Sequence, residues 1–553
     1  MPALRTSPVR VVPLGGLGEI GLNLLVVECA QHAIIIDAGV MFPEERGLGI
    51  GRLLPEISYL EQAHLQIDAI ILTHAHEDHI GALPYLLRKF PAPVYGTDIT
   101  LAFVRRSLSE EGPVGATLHS LRATVELQGG PFVVEPVRVT HSTPDSVALA
   151  IRTPAGLIVH TGDFKIDSAP VDGVRFDTEH FARLGEEGVE LLLSDSTNAE
   201  LEGHSGSESS LKPILSTLIR QTRRRFFFSS FSSHLHRIRQ LAEAAHEAGR
   251  YVVPLGRRMM ESVRLGIETG QLNLPPGTFI ERAEAEFLEP RRLAFLASGS
   301  QGEPLSALAK LANDTQPLVR IEEGDVVVLS SRFIPGNERT IHTVINSLYK
   351  RGAQVLYDPL APVHVSGHAR RDELREMIRL VRPRHFVPIH GEYRHLVLHR
   401  ALAINSGIAE RNCFLLEDGD TLVMNSGETR RGNSVSAGRI VEDGEALGDP
   451  SLIRERRALA QEGTVIAIVA LSARTGKIVA GPHLLSRGVV SGDGASSHMS
   501  RARNEIVERL RVLDEYGRSD GAQIRDEMLR ALRRYFSSSI GKRPIILPYV
   551  MEV

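Results

Sequence analysis

Between residues 69 and 82 an apolar run, Ala69-Ile70-Ile71-Leu72, passes directly into Thr73-His74-Ala75-His76-Glu77-Asp78-His79. Imidazole and carboxylate together are a donor set that suits zinc or manganese. An H-x-H-x-D-H run carries enough ligands for two ions rather than one. The apolar run reads as a buried strand that stops at a ligand-bearing loop, with Ile80-Gly81-Ala82-Leu83 opening a helix. Side chains alternate faces along a strand, so His74 and His76 are expected to point the same way from its end. Asp78 and His79 come just after the turn and face a second point nearby. Six polar residues this dense behind an apolar strand are poorly explained as a chance polar loop.

The elements that must bring further ligands to this loop repeat one pattern, an apolar strand with a polar residue at its carboxyl end. A strand over 131–140 delivers His141, and a hairpin over 147–152 and 157–160 ends in Thr161-Gly162-Asp163-Phe164. The strand over 189–194 ends in Asp195-Ser196-Thr197-Asn198, and that over 33–36 ends in Asp37-Ala38-Gly39, an acid placed to orient a ligating imidazole. Later, Pro362-Val363-His364-Val365-Ser366-Gly367-His368 precedes a helix over 371–381, and a strand from 385 runs into His390-Gly391-Glu392. Sites in layered α/β proteins gather at such strand ends. His141 and Asp163 complete a two-metal constellation, with the carboxylate placed as a bridge. His395 and His399 stand at i and i+4 of the following helix, and are expected on a solvated or packing face rather than as a zinc pair.

From about residue 203 the texture changes. An amphipathic helix over 211–225 closes with Arg223-Arg224-Arg225, favourable at a helix carboxyl end. Strands then begin at 226, 251, 293 and 325 with helices between them, a βαβ pattern that predicts a parallel sheet. Ser, Gly and Arg at its strand ends are types that hold phosphates. Ligand-type residues on both sides imply that this block is inserted into the first domain. The expected map is therefore 1–205 and 356–430 as the two parts of one domain, 206–355 as the insertion, 431–460 as a Gly-, Ser- and acid-rich linker, and 461–553 as a small α+β module. In that module, strands are predicted over 464–471, 478–480, 487–491 and 544–550, and helices over 499–511 and 520–535. It carries no ligand cluster, so a structural or oligomerisation role is expected. Gly16-Leu17-Gly18-Glu19-Ile20-Gly21 matches a dinucleotide-binding G-x-G-x-x-G, but it runs into a strand over 22–28 where that motif requires a helix. A tight loop with close backbone approach is expected instead.

The bulk numbers bound the remainder. At 553 residues the chain needs more than one core, and its 42% hydrophobic and 24% charged residues are those of a soluble globular protein. A net charge of −4 advertises no polyanion partner globally, so any nucleic-acid surface must be local. The two cysteines, Cys29 and Cys413, exclude a disulfide framework and a cysteine-based zinc site. The amino-terminal segment lacks an apolar targeting stretch and no apolar run approaches ~18 residues, so a cytoplasmic, membrane-free protein is expected.

The motif set in this order resembles the metallo-β-lactamase superfamily, within it the β-CASP nucleases, and among those the bacterial ribonuclease J family. The resemblance covers essentially the whole chain and rests on Asp37, the 74–79 run, His141, Asp163, Asp195, His368 and His390. It implies an α/β architecture: an αββα sandwich, an inserted β-CASP parallel-sheet domain and a small C-terminal α+β domain. It implies two divalent ions, zinc and/or manganese with magnesium also accommodated. His74, His76 and His141 would hold one, Asp78, His79 and His390 the other, with Asp163 bridging. By the same resemblance His368, paired with Asp195, serves the leaving group. His364 and Ser366 bind the scissile phosphate. Ser233 and His234 form a 5′-monophosphate pocket with the loop of Val365, Ser366, Gly367 and His368.

The activity so implied is hydrolysis of single-stranded RNA, 5′→3′ from monophosphorylated ends and also internally, in rRNA processing and mRNA decay. The implied assembly is a homodimer or homotetramer, with a place in an RNA-degradation complex. His390 favours RNA over DNA, and His76, where di-iron relatives carry Glu, favours hydrolysis. The alternatives are a DNA nuclease, a small-ester hydrolase and a catalytically dead binding subunit. In a loop where some relatives offer an acid to calcium this chain reads Gly49-Ile50-Gly51, which leaves a site using Asp443 open.

Overall fold

The computed structural model describes the chain except residues 1–6, 44–47, 113–114, 128–129, 304, 317–318, 334–336, 426–427, 444–445, 450, 476, 491–494 and 514–519. It forms two compact units, one of residues 1–44 and 53–439, the other of 45–52 and 440–553.

In the first unit, β-branched and leucine-rich runs build two sheets stacked on one core. The first has eight strands, with Val9–Gly15, Leu24–Cys29, His32–Ile36 and Gln66–Ile71 adjacent at its centre. The second has six, running from His385–Ile389 through Val189–Asp195, Gly156–His160 and Val147–Thr153 to Val133–Arg138 and Val125–Glu126. Ile34, Ile36 and Ile71 of the first sheet interdigitate with Leu149, Ile158 and Leu193 of the second. The alternate residues of the second sheet, Val159, Leu192 and Phe386, pack outward on Phe181, Leu374 and Met377 of the helices Thr178–Glu187 and Arg371–Val381. Runs such as Ala33-Ile34-Ile35-Ile36 are continuous rather than alternating because both of their faces are buried. The result is the expected layered αββα sandwich.

The insertion leaves this sandwich between two neighbouring strands. Val189–Asp195 and His385–Ile389 pair in parallel, Asp195 opposite Ile389, and everything between them is an excursion from one sheet end. Within it lies a five-stranded sheet of Tyr251–Leu255, Leu293–Ala297, Phe226–Ser229, Val326–Leu329 and Gln354–Tyr357, parallel at every pairing. The preceding helix is shorter than expected, Leu211–Gln221, so Arg224 and Arg225 do not close it. Arg225 turns instead to Asp325 at 2.6 Å.

The second unit packs strands Ile478–Arg487, Thr464–Leu471 and Ile545–Glu552 on helices Ala495–Arg511 and Gly521–Ser539. The sequence suggests two short strands where the structure has one from 478 to 487, because Gly481-Pro482 interrupts the pattern and a register shift opposite Ile468 and Ala470 absorbs it. Residues 491–494, which include the end of the predicted 487–491 strand, lie outside the described residues. The 431–460 stretch holds strands Arg439–Asp443 and Ala446–Gly448 and a helix Ser451–Glu462. That helix buries no side chain, so it leaves no apolar stripe to read. Among the described residues no helix is long and apolar enough to cross a membrane.

Candidate metal centre

The strand Gln66–Ile71 stops before the ligands begin, so His74 and His76 lie beyond its end rather than on one strand face. A single helical turn, Glu77–Ile80, carries Asp78 and His79. Backbone clamps this turn: Ala38 N–H donates to His79 O at 2.7 Å and Val40 N–H to Glu77 O at 3.1 Å. Gly39 passes so close that an added Cβ would stand 1.6 Å from the Asp78 carbonyl oxygen. No side chain fits there.

Two donor groups share Asp163. In the first, His76 Nδ1 lies 3.0 Å from His74 Nε2 and 3.2 Å from His141 Nε2, with Asp163 Oδ2 at 3.6 and 3.7 Å from those two Nε2 atoms. Ligands bonded at 2.0–2.1 Å to one tetrahedral ion stand ~3.3 Å apart, so this cluster has the spacing of a metal site. In the second, His79 Nε2 lies 3.4 Å from Asp163 Oδ2 and 3.7 Å from Asp78 Oδ2. His390 Nε2 lies 3.4 Å from Asp78 Oδ2 and 3.7 Å from Asp163 Oδ1. All seven ligand-type residues expected from the sequence are thus brought together. Asp163 Oδ1 is buried without a hydrogen-bond partner, as befits an atom reserved for a cation.

The far nitrogens are tied off. Asp37 accepts from Thr73 N–H and Oγ1–H, both at 2.8 Å, and from His79 Nδ1–H at 2.7 Å. With the Thr73 proton committed to Asp37, its oxygen accepts from His74 Nδ1–H at 3.0 Å. His141 Nδ1–H donates to Gly367 O at 2.7 Å. The Thr197 hydroxyl donates to Asp195 at 2.7 Å and so accepts from His390 Nδ1–H, also at 2.7 Å. With Nδ1 committed as the donor in each of these four imidazoles, Nε2 is the nitrogen that faces the centre and would be free to bind a cation. The glycine loop belongs to this scaffold: His390 N–H donates to Gly16 O at 3.0 Å, and Leu17–Gly18 pairs with Gly391–Glu392. Its motif likeness to a cofactor loop reflects that close approach, and a strand follows it.

Electrostatics divides the two groups. Burial pushes the His74 and His141 imidazoles well below their ordinary range and His76 down to about 4. Burial acts the same way on His79, but Asp163, Asp78 and Asp37 outweigh it and push it up to about 10; His390 is likewise held well above its usual value, chiefly by Asp163. The carboxylates draw protons where a cation would neutralise them. His368 Nδ1–H donates to Asp195 Oδ2 at 2.8 Å, and that carboxylate, with Asp163, raises the imidazole against its burial.

The loop from His364 to His368 borders this floor. Ser366 Oγ lies 2.9 Å from Asn198 Nδ2, and Arg237 reaches His364 Nδ1 at 3.0 Å and Val365 O at 2.8 Å. Ser233 and His234 precede the helix Leu235–Glu247. His234 is buried 3.5 Å from Glu208, with burial and Arg237 pushing it down to about 3. It is Arg237, one turn on, that contacts the loop.

Sequence reasoning missed Asn23, which donates to Asp78 O at 2.9 Å, together with Thr73, Thr197, Asn198 and Arg237. Proximity to ligands in the chain marks Thr73, Thr197 and Asn198; nothing marks Asn23 or Arg237. His395 and His399 are both buried, so theirs is a packing face and not a solvated one; His399 Nδ1 meets Ser196 Oγ at 3.0 Å. Asp443 is paired with Arg456, and it joins none of the metal-competent groups among the described residues.

Two stacked sheets, a parallel-sheet insertion at one sheet end and a His/Asp floor define a metallo-β-lactamase-fold protein of the β-CASP type. Family models match at 19–194 (metallo-beta-lactamase superfamily), 223–348 (ribonuclease J, beta-CASP domain), 357–414 (Zn-dependent metallo-hydrolase RNA specificity domain) and 451–553 (ribonuclease J C-terminal domain). The chain is 37% identical to ribonuclease J 1 of Streptococcus pyogenes, covering 99% of this chain and 98% of that one. It is 35% identical to ribonuclease J2 of Bacillus subtilis over the whole of both, and 36% identical to ribonuclease J of Helicobacter pylori over 96% of this chain and 78% of that one. A crystal structure of a protein of unknown function from Enterococcus faecalis shares the fold at a TM-score of 0.52 and 17% identity, covering 75% of this chain and all of that one. The chain belongs to the ribonuclease J family.

Proposed function

We propose that this metal-dependent ribonuclease hydrolyses single-stranded RNA 5′→3′ from monophosphorylated ends and also cuts internally. The observation that carries the reading is the pair of donor groups sharing Asp163, in a chain matched along its length by ribonucleases J. His74, His76 and His141 would hold one divalent ion and Asp78, His79 and His390 the other, zinc and/or manganese, with magnesium also accommodated. Bound there, two such ions supply acidified water and neutralise charge on a phosphodiester.

The chain's own residues do the rest. Asp37, Thr73, Thr197 and the Gly367 carbonyl hold the His79, His74, His390 and His141 imidazoles each in one tautomer. His368, kept protonated by Asp195, gives its proton to the 3′-oxygen as the ester bond breaks. His364 and Ser366 hold the phosphate, and Ser233 and His234 stand by the pocket for the RNA 5′ end. The division at 205/206, 355/356, 430/431 and 460/461 is proposed as the domain map. The last module is assigned to dimer or tetramer formation and to assembly with an RNA-degradation complex. The buried free thiols of Cys29 and Cys413 fit a reducing, cytoplasmic setting, and rRNA processing and mRNA decay are the proposed roles there.

The test is cleavage of one end-labelled RNA carrying a 5′-monophosphate, triphosphate or hydroxyl, with manganese or chelator, beside His76→Ala and Ser366→Ala. Mononucleotide release that favours the monophosphate, and is abolished by chelator and by His76→Ala, supports the reading. Absence of RNA cleavage with any metal overturns it.

A further inference from the structure

The 364–368 loop is held from outside by two arginines that lie far from it in the chain. Arg237 is fully buried, and each of its five N–H groups is spent. Nε and Nη2 donate to Glu208 at 2.8 and 2.7 Å, Nη2 also to Val365 O at 2.8 Å, and Nη1 to Ser330 O at 2.8 Å and His364 Nδ1 at 3.0 Å. With its charge balanced by Glu208 and no donor left, Arg237 has nothing to offer an anion. It can act on one only through His364. A guanidinium has no acceptor, so His364 Nδ1 must accept and the ring proton must sit on Nε2.

The second arginine works through an amide. Arg332 Nη1 donates to Asn198 Oδ1 at 2.7 Å, which fixes the amide so that Nδ2 donates to Ser366 Oγ at 2.9 Å and to His368 O at 3.0 Å. Ser366 Oγ also accepts from His368 N–H at 3.1 Å. A hydroxyl has two lone pairs and one proton; here both lone pairs are taken. What Ser366 has left to offer is its proton. Were the amide reversed, that proton would turn inward to Oδ1 and a lone pair would face the site. Phosphate oxygens only accept, so such a reversal would cost the contact.

We infer that Arg332, through Asn198, and Arg237, directly, are positioning residues that set the hydrogen-bond polarity of Ser366 and His364, so that both present a proton to the phosphate. The inference rests on the proposed role of Ser366 and His364 in binding phosphate. At His364 and Ser366 themselves, recognition is by two neutral, pre-aimed donors.

Asn198→Asp tests it with almost no change of shape. A carboxylate keeps Arg332 and gains charge on it, but cannot donate to Ser366. On 5′-monophosphorylated RNA, the metal-loaded variant should lose about 10- to 100-fold in kcat/KM, chiefly in KM, as Ser366→Ala does. Arg332→Met, at an exposed position, should lose about threefold to tenfold with the melting temperature unchanged. Each change should cost less in the Ser366→Ala background than alone, since only the Asn198 bond to the His368 carbonyl is left to lose there, and nitrogen-15 NMR of the wild type should place the His364 proton on Nε2. If Ser366→Ala loses activity while Asn198→Asp and Arg332→Met do not, or if their losses add to it in full, the polarity lock is overturned and the phosphate site stands. Wild-type kinetics in Ser366→Ala would overturn both. A proton on His364 Nδ1 would overturn the Arg237 arm.

Discussion

The His/Asp floor of this site and the wall proposed to bind phosphate are fixed by different means. On the floor, two of the partners that orient the ligands are near in the chain or carry chemistry of their own: Thr73 adjoins His74, and Asp37 ends the neighbouring strand. At the wall, His364 and Ser366 owe their polarity to Arg237 and Arg332, side chains of the insertion. The two meet where His141 donates to Gly367 O. The comparison teaches that residues which do chemistry announce themselves by type, whereas residues which set a proton's position do so only through the fold.

The comparison breaks first at Asp163. Asp163→Asn removes the charge that both donor groups share, and should cut RNA cleavage by more than about 1,000-fold with loss of bound metal, since each ion contributes several kcal/mol. Cleavage kinetics and elemental analysis of the same sample check it. Asp195→Asn should cost about 100-fold. Because Asp195 raises His368, its removal lowers that imidazole, so the alkaline fall of the rate should begin at lower pH. A rate profile across pH 5–10 reads this directly.

On the wall side, Glu208→Gln leaves the Arg237 guanidinium unbalanced and should cost about 3 kcal/mol. Burial opposes the Glu208 carboxylate, but Arg237 and His234 hold it well below the usual range. A carboxylate depressed on folding contributes its full stability above its unfolded value near 4.3 and loses it as pH falls towards its folded value. The melting-temperature gap between wild type and variant should therefore be widest at pH 7 and close below about pH 4.

Most of the floor was legible because clustered His and Asp after apolar strands have few other uses. The tautomers were not: Asp37 could be named from its strand end, but Thr197 and the Gly367 carbonyl act across the fold. The glycine run at 16–21 was legible as a close backbone approach, though not as the support of His390, since that contact joins residues hundreds apart in the chain. Arg237 looked like any helix residue, because a buried ion pair with Glu208 leaves no sequence pattern. In the second unit, Gly481-Pro482 hid a continuous strand, and a helix with no buried face hid in the polar 431–460 stretch.

On the proposed reading, one carboxylate, Asp163, joins two cation sites in one chain. The most direct measurement is the metal content of the purified wild-type protein after loading with manganese or zinc, counted per chain by elemental analysis and located by anomalous diffraction. Two ions per chain, one on the His74, His76 and His141 side and one on the Asp78, His79 and His390 side, is the predicted result. A single ion, or two that do not share Asp163, would contradict it.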